Sequence, residues 1–123
     1  MVNPPSPEEM AVYRRTLQRR QHAEHQRLAQ RFEAAMQVVQ AAHTLLKQDF
    51  QAREVILFGS LLHRERFHLS SDIDLAVRGL DPLNYFTAVA KLQDLSPFKI
   101  DLVRLERCKP SLAAAIATEG QPL

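Results

Sequence analysis

The chain is poor in the residues that staple or anchor proteins, with one cysteine, Cys108, no tryptophan and three glycines among 123 residues. A lone cysteine cannot form an internal disulfide, and no Cys-x-x-Cys or His/Cys grouping accompanies it. A reduced compartment is therefore expected and a zinc site is not. Cys108 sits between Arg107 and Lys109, which would favour its thiolate, but nothing else distinguishes it from an incidental thiol. No apolar run approaches the roughly 18 residues needed to cross a bilayer. The start, Met-Val-Asn-Pro-Pro-Ser-Pro-Glu-Glu, has neither a basic n-region nor an apolar h-region. No membrane association is expected, and the location expected is cytoplasmic.

With 46% hydrophobic and 24% charged residues the composition is that of a globular domain, which excludes a disordered tail or a collagen-like repeat. The length suits one domain and leaves no room for separate lobes that would hold a template or acceptor. The formal charge is +2, but it is unevenly spread. Between Met10 and Arg31 stand Arg14, Arg15, Arg19, Arg20, Arg27 and Arg31 against one acid, Glu24. Aromatics interleave with these arginines only at Tyr13, so direct nucleic-acid binding is not favoured, and contact with a partner protein ranks ahead of a plain solvated helix.

Ser6-Pro7-Glu8-Glu9 opens a helix. Ser6 can cap it, Pro7 suits the first helical position because its missing N–H would be unpaired there, and Glu9 completes a capping box. No glycine or proline follows until Gly59. A helix unbroken to about Asp49 would be roughly 65 Å long, against a radius of gyration of about 14 Å for a domain of this size. It must protrude, break or pack on another molecule. Leu28, Phe32, Ala35, Met36, Val39, Ala42, Leu46 and Phe50 keep helical spacing, while the stretch between Leu17 and Leu28 offers almost nothing to bury. Residues 1–27 are thus expected to be a basic helical extension, and residues 28–123 the folded domain.

Three strand-like segments follow, at Glu54–Phe58, Asp72–Val77 and Lys99–Arg104. Between the second and third, Asp81-Pro82 introduces a helix carrying Leu83, Phe86, Val89, Ala90 and Leu92. A last short helix runs from about Pro110 to Gly120.

Side chains alternate along a strand, so Asp72 and Asp74 share a face about 6.6 Å apart while Ile73, Leu75 and Val77 fill the core. Asp101, on the third strand, is positioned to join them. Two carboxylates at that distance repel by about 2.5 kcal/mol at an effective dielectric near 20, so such a group makes sense around a cation. Oxygen-only clusters suit Mg²⁺. An Asp-x-Asp at a strand start also fits a solvated edge. The turn Phe58-Gly59-Ser60, ending the first strand, offers backbone N–H groups and a hydroxyl to a phosphate. His22 and His25 are three apart on the helix, but no third ligand accompanies them, which suits a solvated face. His63 and His68 flank the Gly-Ser loop and could touch a phosphate.

Val55-Ile-Leu-Phe-Gly-Ser60, Ser71-Asp-Ile-Asp-Leu-Ala-Val77 and Lys99-Ile-Asp-Leu-Val103 together resemble the minimal nucleotidyltransferases of the DNA polymerase β superfamily. The resemblance reaches from about Leu28 to the end, where Ile116-Ala-Thr-Glu-Gly120 is similar to the family's closing helix. It implies an α/β (α+β) nucleotidyltransferase fold, a small mixed sheet of three or four strands flanked by helices, here behind a long N-terminal helix. It also implies that Gly59 and Ser60 bind the triphosphate of ATP and that Asp72 and Asp74 hold two Mg²⁺ ions. Asp101 would ligate one metal and help deprotonate the acceptor hydroxyl. Eleven residues separate Ser60 from Asp72, a longer spacer than the family's, and Leu62-His63-Arg64-Glu65-Arg66 replaces its Ala-Arg-Gly. The phosphate-binding arginine is therefore Arg64 or Arg66.

Stand-alone members of this family are commonly paired with a small helical HEPN ribonuclease toxin. The resemblance implies an antitoxin that transfers AMP from ATP to a tyrosine of that toxin, within a hetero-oligomer. Two other functions fit the same residues: a non-catalytic antitoxin that neutralises its partner by binding, and an enzyme that adenylylates a small-molecule hydroxyl, as aminoglycoside nucleotidyltransferases do.

Overall fold

The structure, a computed structural model, describes residues 2–123. Helix α1 spans Pro7–Thr44 and passes into a π-helical turn, Leu45–Asp49. Its start is fixed as the sequence suggests: the Ser6 hydroxyl accepts a hydrogen bond from the Glu9 backbone N–H at 3.1 Å, and Glu8 and Glu9 lie in the first turn. Of the three outcomes open to so long a helix, protrusion is the one realised. Its 38 residues run for about 57 Å. Every residue from Val12 to Arg27 is exposed, whereas Ala35, Val39, Ala42 and Leu46 are fully buried. The docked half is also pinned at its flank, where the Arg31 guanidinium lies 4.3 Å from the centre of the Phe98 ring.

Beyond α1 come β1 (Glu54–Phe58), β2 (Ile73–Arg78), α2 (Tyr85–Gln93), β3 (Ile100–Arg104), α3 (Pro110–Glu119) and a two-residue strand, β4 (Gln121–Pro122). The sheet order is β3-β2-β1-β4. β1 is antiparallel to β2 and to β4, and β2 is parallel to β3. Parallel pairing needs a crossover, which α2 supplies. One sheet face carries Val55, Leu57, Ile73, Leu75, Ile100 and Leu102 into the main core beneath α1 and α2. The other face presents Ile56 and Ala76 to Ile116 of α3.

β3 is an edge strand, and α2 covers its outer polar groups. The Gln93 side chain donates to the Phe98 carbonyl at 2.7 Å and accepts from the Ile100 N–H at 3.2 Å, while the Tyr85 hydroxyl donates to the Leu102 carbonyl at 2.6 Å. The helix expected after Asp81-Pro82 begins as a 3₁₀ turn, Pro82–Asn84, capped by Asp81, whose carboxylate accepts from the Leu83 N–H. Leu83 and Phe86 are exposed, and Ala88 and Leu92 are the residues buried.

Candidate active site

The register of the sheet assembles the carboxylates. Asp74 on β2 stands opposite Asp101 on β3 and opposite Phe58 on β1. Asp72 precedes the first residue of β2 by one position, on the same face as Asp74. The Phe58 pairing brings the next residue, Gly59, against Asp74. Gly59 has φ +83°, and a Cβ placed on it would lie 2.3 Å from the Asp74 Oδ2 atom. Glycine is required twice over, for the left-handed backbone and for the space the carboxylate fills. Ser60 follows in a 3₁₀ turn, Gly59–Leu62.

A cation already stands in this group. Lys99 Nζ lies 3.9 Å from Asp72 Oδ2 and 3.9 Å from Asp101 Oδ1. Asp74 has no such partner. Burial, then the negative charges of Asp101 and Asp72, push its carboxyl up from the ordinary 3.8 to about 6, and Lys99 only partly opposes them. Lys99 escapes a motif search, although alternation along β3 places it two residues from Asp101 and so on the same face.

Three carboxylates, one of them raised by burial and by the charges of the other two, form an oxygen-only donor set that suits a hard divalent cation. The metal chemistry fits the residues. As they stand, however, no three His, Cys, Asp or Glu side chains among the described residues are gathered into a finished ion site. Asp72 and Asp101 share Lys99, so they must turn from it to close on an ion.

The two arginines lie elsewhere. Arg64 places its guanidinium 5.5 Å from the centre of the Phe32 ring on α1. It lines a groove of about 640 Å³ with His25, Leu28, Phe67 and His68. Arg66 is exposed at the end of a second 3₁₀ turn, Arg64–Arg66. Neither is among the charges acting on Asp74. His63 faces Glu65 at 3.9 Å rather than the carboxylates. The long spacer is taken up by these turns and by a further one, in which the His68 N–H donates to the Ser71 hydroxyl at 2.8 Å. The strand register that places Asp74 beside Gly59 is formed regardless.

The family model described as "Polymerase beta, Nucleotidyltransferase" matches residues 40–123. Among solved structures, the chain is similar to one described as a toxin-antitoxin with AMP-PNP, at 28% identity and a TM-score of 0.56, covering 67% of this chain and 69% of that one. It is similar also to a mutant of the toxin-antitoxin MntA-HpeT, at 27% identity and a TM-score of 0.52, covering 63% and 65%. A third, the toxin-antitoxin MntA-HepT, shares the fold at 23% identity and a TM-score of 0.51, with 72% and 69% covered. No curated protein matches the sequence.

Proposed function

Because the chain belongs to the polymerase β nucleotidyltransferase family, we propose that it is an antitoxin that transfers AMP from ATP to a tyrosine hydroxyl of a HEPN-family ribonuclease toxin. The observation that carries this is the convergence of Asp72, Asp74 and Asp101 on one sheet face, with Gly59 pressed against Asp74. The protein partner and the adenine nucleotide come from similar structures, a toxin-antitoxin bearing AMP-PNP and MntA-HpeT.

The Gly59–Ser60 turn receives the triphosphate through backbone N–H groups and the Ser60 hydroxyl. Asp72, Asp74 and Asp101 would hold Mg²⁺, which would supply charge neutralisation at the phosphates. The tyrosine oxygen attacks the α-phosphorus, the bond to the β-phosphate oxygen breaks, and diphosphate leaves. Asp101, at the rim and about half exposed, accepts the phenolic proton. Arg64 would serve a phosphate only by leaving the Phe32 ring, and Arg66 is free at the surface to do so.

Incubation of a purified HEPN-family partner with this chain, labelled ATP and Mg²⁺ should move label onto the partner, and Asp74→Asn should abolish the transfer. Binding without transfer by the wild-type chain refutes the catalytic proposal. One observation favours a second reading: Lys99 already neutralises Asp72 and Asp101, as in a site that works by binding alone. On that reading the Asp72→Asn/Asp74→Asn chain silences its partner as well as the wild type does.

A further inference from the structure

The helix face that docks α1 onto the sheet turns apolar again beyond the edge of the sheet, after a polar gap between Leu17 and Leu28. At about 100° per residue, Met10, Tyr13 and Leu17 share the helix face of Ala35, Val39 and Leu46. The inner three are fully buried, while Met10 is 38% exposed, Tyr13 59% and Leu17 37%. They are spaced i, i+3, i+7, the pattern of a helix laid into an apolar groove. Residues 7–27 span about 31 Å, ample for such an interface. The family model begins at residue 40, so this segment lies outside the catalytic domain it describes.

Charge selects the occupant. Arg14, Arg20 and Arg27 flank the stripe, Arg15 and Arg19 lie on the opposite face, and with Glu8, Glu9 and Glu24 as its acids the segment stays net basic. A second copy would bring arginines against arginines, and a nucleic acid would leave Met10, Tyr13 and Leu17 uncovered. A protein groove rimmed with carboxylates satisfies both features. Beyond the polar gap the same face resumes at Leu28, which helps line the groove between α1 and the Arg64–His68 segment. That segment lies directly after the Gly59–Leu62 turn.

We infer that residues 7–27 form a docking helix for an acidic protein partner, which then lies over the α1 groove beside the phosphate-binding turn. The inference rests on the proposal that the acceptor is a protein, and it explains how the nucleotidyltransferase domain would receive one.

Titration calorimetry of the full chain against a purified HEPN-family protein tests it. Tyr13→Ala/Leu17→Ala and Arg14→Glu/Arg20→Glu should each weaken binding at least tenfold, and wild-type binding should weaken as salt rises. Far-UV circular dichroism and the Mg-ATP-induced thermal shift should match the wild type, since the helix and the carboxylates are untouched. Variants that bind as the wild type does refute the docking helix, even if label transfer succeeds. Variants that lose binding uphold it, even if no label is transferred. Failure of the wild type to bind overturns it. So does a wild-type dimer that Leu17→Asp dissolves, or tighter binding to RNA or to anionic vesicles than to the protein.

Discussion

The carboxyl of Asp74 makes the metal-free protein less stable than it could be, and removing its charge should show by how much. Its folded-state value is about 6 and its ordinary value 3.8. Between those values the folded chain holds a proton that the unfolded chain has released, so stability falls as pH rises through that window and stays low above it. A shift of this size corresponds to about 3 kcal/mol at about 1.36 kcal/mol per unit. Solvent reaches this half-buried carboxyl and screens its neighbours, which reduces the expected effect to about 1 kcal/mol. Asp74→Asn keeps the shape and discards the charge. In EDTA and low salt at pH 7.5, the variant should therefore melt roughly 3–5 °C above the wild type. Well below pH 3.8, where Asp74 is protonated in both states, the two melting temperatures should coincide. The same substitution should abolish nucleotidyl transfer and any stabilisation by Mg²⁺. Urea titrations at the two pH values measure the difference directly. A variant no more stable than the wild type at pH 7.5, or equally stabilised at both pH values, refutes the claim that repulsion and burial strain this site.

Lys99→Met should act in the opposite sense, lowering stability without metal because it removes the cation between Asp72 and Asp101, and enlarging the Mg²⁺-induced thermal shift; an unchanged shift would show that Lys99 does not compete with the ion. Gly59→Ala should abolish transfer and cost upward of about 1 kcal/mol, since it demands a left-handed alanine as well as movement of Asp74, and activity assays beside urea titration would detect both effects. Leu46→Ala, at a fully buried position, should cost about 2–5 kcal/mol, whereas Leu83→Ala, on the surface, should stay within about 0.5 kcal/mol in the same titration. Ser6→Ala should fray the start of α1, visible as faster amide exchange at Glu9, with global unfolding unchanged because residues 12–27 are exposed throughout.

Local signals in the chain were strong where the physics is local. Ser6 and Pro7 mark the start of α1, branched residues mark β1 to β3, and Gly120 ends α3, because capping, side-chain bulk and backbone freedom act within a few residues. The fourth strand escaped such signals. Gln121 and Pro122 have no strand propensity, and they pair only because α3 delivers them to the free edge of β1. Spacing along α2 does not tell which face is buried: Phe86 lies well over 100° from Ala88 and Leu92 around the helix, and packing on the sheet chooses the Ala88/Leu92 side.

At the site, alternation along a strand is enough to put Asp72 and Asp74 on one face, while the roles given to them and to Asp101, Gly59 and Ser60 rest on the resemblance. Lys99 between two acids, Arg64 stacked on Phe32 and the contact of Gly59 with Asp74 were decided by the fold alone. Each joins residues brought together by strand register or by the packing of α1, and register is a property of paired strands that no single segment encodes.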